Sequence, residues 1–173
     1  MENILIIPIG EINPNILDRI ARSLRRKFKC KATINESIPV PQKAYDATRE
    51  QYQTIKLFTA LASLKSDKHT TLLGVIDEDL FMPKLNFVFG YADPLLDMAI
   101  ISLTRLRQEF YGLTPETDLF LLRAEKEAMH EFGHLRGLGH CMSPKCVMNF
   151  SNSLRETDEK ENRFCKACRK KRM

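Results

Sequence analysis

The feature that most constrains this chain is a pair of histidines set four residues apart, with a glutamate directly after the first. The residues from His130 to His134 match the pattern H-E-x-x-H. Residues four apart on a helix lie on one face, so His130 and His134 can bind one zinc ion while the helix stays regular. Glu131 points too far round the helix to be a comfortable ligand but can reach a metal-bound water. It therefore suits the role of general base.

The motif extends to a third histidine, His140, in the longer form H-E-x-x-H-x-x-G-x-x-H. Its glycine, Gly137, can take the positive-φ conformation that ends a helix and turns the chain back, and Gly139 adds freedom before His140. Three neutral protein ligands leave one position open for water, as in catalytic zinc sites. The alternative is a solvated helix with incidental histidines, which the length of the matched pattern disfavours. His69 stands alone in a polar turn and is expected to be a surface residue.

Four cysteines follow the histidines in two close pairs, Cys141 with Cys146 and Cys165 with Cys168. Two such pairs separated by a loop are typical of a structural zinc site, in which four thiolates leave no position for water. Reduced free cysteines or a redox dithiol are the alternatives. Because Cys141 directly follows His140, we expect the structural zinc to help hold the third histidine in place.

The hydrophobic periodicity upstream of the motif predicts alternating strands and helices. A continuous apolar run is typical of a buried strand, and an Asn-Pro pair before an amphipathic repeat is typical of a helix start. Residues 137–173 hold few apolar side chains, so metal binding is expected to order them. The predicted strands are 4–7, 31–34, 71–76, 86–89 and 98–106, the predicted helices are 14–28, 47–64 and 116–136, and 37–46 is a predicted loop.

The composition places the chain among globular proteins that need no disulfides. Its 173 residues, 43% of them hydrophobic, can bury a sizeable core. The apolar stretch Ile4–Ile7 is far too short for a signal peptide or a membrane span. We therefore expect a cytoplasmic monomer without a membrane partner, whose cysteines are metal ligands or, for Cys30, a free thiol.

The positive charge of the chain also allows a different function, that of a nucleic-acid-binding zinc module. The formal charge is +5 and the sequence pI is near 9.0. Six basic residues and no acid lie within 163–173, however, so the rest of the chain is nearly neutral and the tail can stabilise the charge of a four-thiolate zinc site. Glu131 and the open three-histidine site disfavour the nucleic-acid interpretation. A catalytically silent zinc-binding scaffold stays open as an alternative.

These motifs together resemble those of the archaemetzincins, a branch of the metzincin zinc metalloproteases. The match comprises the extended histidine motif, the four cysteines and Met148, eight residues after the third histidine. The resemblance implies one compact metzincin-like catalytic domain over residues 1–173, of α+β or α/β class. It would have a mixed twisted sheet, an active-site helix and an irregular C-terminal subdomain, 137–173, held by zinc.

The resemblance also implies roles for individual residues and two zinc ions per chain, one catalytic and one structural. Met148 would form the Met-turn beneath the histidine site, and Phe150 stands where some metzincins place a tyrosine ligand. The predicted function is hydrolysis of peptide bonds in a peptide or protein substrate by a zinc-activated water, with Glu131 as general base. We expect the substrate to lie extended along a sheet edge, with 98–106 as the candidate edge. The implied metal ligands are His130, His134 and His140 for the catalytic zinc and Cys141, Cys146, Cys165 and Cys168 for the structural zinc.

Overall fold

A central five-stranded sheet organises the computed structural model, which describes residues 3–65, 67 and 69–171. Arg172 of the predicted basic tail lies outside the described residues. The described strands are β1 (Asn3–Ile9), β2 (Lys31–Ile34), β3 (Tyr45–Asp46), β4 (Gln51–Gln53), β5 (Thr70–Ile76), β6 (Leu80–Phe81), β7 (Gly90–Asp93) and β8 (Met98–Ser102). The described helices are α1 (Pro14–Phe28), α2 (Thr54–Ala62), α3 (Thr117–Leu135), α4 (Leu154–Glu159) and α5 (Lys166–Lys171).

The sheet is mixed, as the sequence predicted. Its strand order is β2-β1-β5-β8-β7, with parallel pairing throughout except at β7, which runs antiparallel to β8 at one edge. The inner strands β5 and β8 are buried almost along their whole length, because helices and loops cover both faces of the sheet. A second, three-stranded sheet, β3-β4-β6, packs beside the first. The predicted α/β class with a mixed sheet is confirmed.

Helix α1 forms where the sequence predicted it. The Asn13 side chain accepts a hydrogen bond from the Asn15 backbone N–H at 3.0 Å, Pro14 supplies the first helical residue, and Lys29 ends the helix in a left-handed conformation. The apolar stripe that includes Ile20 and Leu24 is fully buried against the sheet. This places the basic face of α1 at the surface.

Helix α3 carries the histidine motif and lies at the centre of the molecule. It packs against α1 and against the strands β7 and β8. Phe132 is fully buried, with the Phe28 ring centroid 4.5 Å away. Charged side chains of this helix are buried too: Arg123 pairs with Asp158, and the Lys126 ammonium donates to backbone carbonyls at the end of α4. The C-terminal segment thus packs on a helix that is covered on most sides.

The predicted helix 47–64 is wrong in its first part. Glu50 takes a positive φ of 54°, which interrupts a helix, and residues 51–53 form β4 instead. Strand β4 pairs in parallel with β6, and the Gln51 amide donates to Asp79 at 3.0 Å. These partners lie far away in sequence, so the local apolar spacing could not reveal them. The helix begins only at Thr54.

The predicted strands 86–89 and 98–106 also need correction. Residues 86–89 contribute only an isolated bridge between Val88 and Leu80, and β7 begins after them at Gly90. The strand β8 ends at Ser102, and Thr104–Leu106 form one turn of 3₁₀-helix. The Asp93 carboxylate accepts two backbone N–H bonds in the turn that joins β7 to β8. Strand β8 therefore lies inside the sheet, and the edge belongs to β7.

The C-terminal segment folds around its own small apolar cluster. This cluster includes Met129, Val147, Met148 and Phe164, all buried. The short helix α4 begins at a capping box, in which the Ser153 hydroxyl accepts from the backbone N–H three residues on. None of the helices in the described ranges is long and apolar enough to cross a membrane.

Candidate active site

The structure brings the three predicted histidines together. His130 and His134 lie on one face of α3 with their Nε2 atoms 3.1 Å apart, and His140 lies beyond the helix end. One ring nitrogen from each histidine lies within 4.8 Å of the others. Zinc–imidazole bonds are about 2.0–2.1 Å long. Three nitrogens at these separations can therefore surround one ion.

The helix ends in a way that returns the chain to this face. Gly137 has φ +75°, its N–H donates to the His134 carbonyl at 2.9 Å, and the Leu138 N–H donates to the Gly133 carbonyl at 3.1 Å. This pair of bonds is a Schellman motif, which needs a left-handed residue at the position of Gly137. The turn leaves His140 three residues later beside the two helical histidines. The sequence prediction of a break at this glycine is confirmed.

Backbone carbonyls orient two of the imidazoles. His130 Nδ1 donates to the Val147 carbonyl and His134 Nδ1 to the Leu138 carbonyl, each at 2.8 Å. Because a carbonyl only accepts, the hydrogen sits on Nδ1 and Nε2 presents its lone pair. Burial lowers the pKa of His130 well below its usual value, and it also lowers the pKa of His134 and His140. The three rings are thus neutral, as metal ligands must be.

A cluster of buried charged groups lies beside the histidines: Glu127, Glu131 and Lys160, exposed to 4%, 4% and 2%. Burial and the neighbouring Glu127 raise the pKa of Glu131 well above its usual value. Glu131 was predicted, whereas Glu127 and Lys160 were not. Glu127 could have been noticed four residues before Glu131 on the same helix face, but nothing in the sequence marks Lys160.

Two glycines make room for this arrangement. A Cβ on Gly90, in the edge strand β7, would lie 2.8 Å from Oε1 of Glu131 and 2.9 Å from the Ile100 carbonyl oxygen. A Cβ on Gly133, inside the histidine motif, would lie 2.3 Å from the sulfur of Met148. Met148 therefore packs directly against the helix between its two histidines. The sequence pattern did not single out either glycine.

The four predicted cysteines form a second group. One sulfur from each of them lies within 4.8 Å of the others, and the Cys141 and Cys165 sulfurs are 3.8 Å apart. The backbone N–H of Cys168 lowers the pKa of Cys165 to about 7, whereas burial raises the pKa of Cys146 and of Cys168. Four sulfurs and no other ligand type fit a closed tetrahedral zinc site.

Backbone contacts connect the histidine group to the cysteine group. The Cys141 N–H donates to the Met148 carbonyl at 2.8 Å, and the Asn149 side chain donates to the Cys141 carbonyl at 2.7 Å. The preceding residue, Val147, holds His130 through its own carbonyl. One short segment thus contacts a histidine of the first group and a cysteine of the second.

The histidines open onto a cleft of about 610 Å³. Its walls include the edge strand β7, the loop before it, and the residues that follow Met148. The ring of Phe150, the residue in the position of a tyrosine in some metzincins, lies 5.1 Å from that of His140. His69 lies in an exposed turn, as expected.

The sequence and the structure are similar to those of known proteins. The sequence matches peptidase family M54 over residues 1–172. It is 42% identical over 174 residues to the archaemetzincin of Pyrococcus furiosus, and this alignment covers 97% of this chain and 91% of that relative. The structure resembles that of a zinc-dependent peptidase from Methanocorpusculum labreanum, with a TM-score of 0.90, 29% identity, and coverage of 99% of this chain and 100% of that chain. It also resembles an archaemetzincin from Methanopyrus kandleri, with a TM-score of 0.85, 34% identity, and coverage of 98% and 92%.

The fold and the site together define a zinc-dependent metallopeptidase. The match and the identities extend over almost the whole chain, so they include both ligand groups and the sheet that carries them. The chain belongs to peptidase family M54, the archaemetzincins.

Proposed function

We propose that His130, His134 and His140 bind the catalytic zinc ion and that Glu131 is the general base of peptide-bond hydrolysis. The observation that carries this proposal is the convergence of three neutral imidazoles beside a buried carboxyl group, at the foot of an open cleft. When bound, zinc would act as a Lewis acid and bring the pKa of a water towards about 7. Glu131 accepts the proton of the attacking water and delivers it to the nitrogen of the leaving amine.

The substrate is a peptide or protein segment that binds in extended form along β7. This strand borders the cleft and, among the described residues, pairs on one side only, with β8. An edge strand offers unpaired backbone N–H and C=O groups to a further strand. Because Gly90 in this strand touches Glu131, a peptide paired with β7 would pass close to the general base.

A second zinc ion is held by Cys141, Cys146, Cys165 and Cys168 and has a structural role. Four thiolates saturate a tetrahedral ion, so no water can bind there. With Met148 as the Met-turn beneath the histidines, residues 1–173 act as one catalytic domain, and its last segment, 137–173, is ordered by this metal. We expect the chain to work as a monomer.

Glu131→Gln tests this function most directly. Glutamine keeps the size of the side chain but cannot accept the proton, so the variant should keep both zinc ions and lose turnover. The assay uses a library of quenched fluorescent peptides with zinc-loaded protein and a chelated sample. Glu109→Gln, an exposed acid in a surface turn, is the matched control and should retain full turnover.

Unchanged turnover in Glu131→Gln would refute the role of the glutamate. Absence of turnover in the wild-type protein on every library peptide, with both metals bound, would instead favour a silent zinc-binding scaffold.

A further inference from the structure

The zinc-binding motifs do not account for two of the buried charged side chains in the cleft. Glu127 and Lys160 line the same cavity as Glu131 and the three histidines. Their side chains are almost completely buried. Buried charged groups are costly unless each has a partner, so their partners indicate what they do.

Glu127 has Glu131 as its partner. The two residues are four positions apart on α3, so their side chains leave the helix on the same face. Both carboxyl groups line the same cavity, and each changes the pKa of the other. The two groups are therefore close neighbours on one face of α3.

Lys160 lines the same cavity as both carboxyl groups. Its Nζ donates to the Asn149 carbonyl at 3.1 Å, which fixes the ammonium just after Met148. From there its charge attracts Glu127 and Glu131. The lysine follows the last residue of α4, so a single side chain links the C-terminal segment to the floor of the active site.

The other buried charged side chains of α3 have partners outside the cleft. Glu125 is also buried, but it bonds to Arg19 of α1 and to Asn162, away from the cleft. Arg123 and Lys126 contact the region of α4. Among the buried acids of this helix, Glu127 and Glu131 are the two that line the cleft.

We propose that Glu127 and Lys160 are positioning residues for the general base, Glu131. This inference rests on the proposed function. In this proposal Glu127 forms a hydrogen bond with one carboxyl oxygen of Glu131. The second oxygen of Glu131 is then free to accept the proton of the attacking water. Lys160 holds the two carboxyl groups in place and is itself fixed by the Asn149 carbonyl.

The test compares Lys160→Met, Glu127→Asp and Glu127→Gln with wild-type protein, each loaded with zinc. Methionine removes the charge at similar length, and aspartate withdraws the carboxyl group by one methylene. Because a misplacement of about 1 Å can cost about 100-fold in rate, kcat should fall about 10- to 100-fold in both, with KM nearly unchanged. The glutamine of Glu127→Gln can still hydrogen-bond to Glu131, so this variant should keep kcat within a few-fold of wild type.

Two measurements are independent of turnover. Zinc content by atomic emission should stay at the wild-type value in all three variants. Calorimetric affinity for a peptide hydroxamate, whose hydroxyl group donates to the base, should weaken about tenfold in Lys160→Met and Glu127→Asp, as expected for a lost charge-assisted hydrogen bond. Glu125→Gln, a buried acid of the same helix outside the cleft, is the control and should keep wild-type kcat and hydroxamate affinity.

The outcomes separate this inference from the proposed function. Wild-type kcat and hydroxamate affinity in Lys160→Met and Glu127→Asp, beside an inactive Glu131→Gln, would overturn the positioning role alone. An equal loss in Glu127→Gln and Glu127→Asp would also overturn it, because the shared hydrogen bond would then not matter. Full activity of Glu131→Gln would overturn the proposed function itself.

Discussion

Replacing Gly90 by alanine tests whether the edge strand and the general base are packed as closely as the structure indicates. The added Cβ would meet Cγ and Oε1 of Glu131, each at 2.8 Å, and the Ile100 carbonyl oxygen at 2.9 Å. Ordinary van der Waals contact begins at 3.4 Å, so Glu131 must move by about 0.6 Å and β7 must also shift away from the Ile100 carbonyl of β8.

Of the two neighbours of the added Cβ, the Glu131 side chain moves more easily, because the Ile100 carbonyl belongs to the backbone of an inner strand. Overpacking of this kind costs about 1–3 kcal/mol of stability. A displacement of this order at a reacting group can reduce kcat by about 10- to 100-fold. Zinc content should not change, since no predicted ligand lies within the clash.

The assay measures kcat, KM, zinc content and the midpoint of urea unfolding on one peptide selected from the library. Leu95→Ala is the control in the same hairpin: this side chain lies in the turn that joins β7 to β8 and is 96% exposed. This control should behave like wild type. Wild-type kcat in Gly90→Ala would contradict the close contact between the edge strand and Glu131, the proposed general base.

Three further predictions concern the metals and stability. Cys141→Ser should lose both zinc ions, because it removes a ligand of the proposed structural zinc, and the segment that this zinc would order also orients His130 through the Val147 carbonyl; a histidine site still filled at full affinity in metal analysis would contradict this coupling. Asp158→Asn should destabilise the protein by about 3 kcal/mol in urea unfolding, since it leaves the buried Arg123 without its carboxylate; a change below about 1 kcal/mol would contradict it. The backbone N–H of Asn152 lowers the pKa of Glu156 in the folded protein. The ionised Glu156 therefore stabilises the fold above the unfolded-state pKa of about 4.3, and this stabilisation is lost as the pH falls through the folded-state pKa. Glu156→Gln should therefore be less stable than wild type at pH 6, and this difference should shrink as the pH falls below about 4.3; a difference that stays constant with pH would contradict this.

The sequence predicted those parts of the site that depend on short-range geometry. The four-residue spacing of two histidines, the glycine at the helix end and the paired cysteines each act over less than two helical turns. Helix α1 and the inner strand β5 were predicted for the same reason, since their caps and apolar runs are local.

Features that depend on distant partners were not predictable from one sequence. Lys126 and Glu127 have the composition of an exposed helix face, yet they are buried because the C-terminal segment folds over α3. Residues 51–53 lie in a helix-like sequence pattern, but they form the strand β4 because β6 pairs with them. The edge position of β7 followed from strand order and not from apolar spacing.

The hydrogen bonds that orient the predicted ligands determine which sequence changes the site can tolerate. The acceptors for His130, His134 and Cys141 are main-chain carbonyls of Val147, Leu138 and Met148. Main-chain atoms are the same in every residue, so ligand orientation does not depend on the identity of these side chains, which must only fill their space. Insertion or deletion of one residue between Cys141 and Met148 would shift the Val147 and Met148 carbonyls relative to their donors. Across related sequences, spacing in this segment should therefore vary much less than residue type.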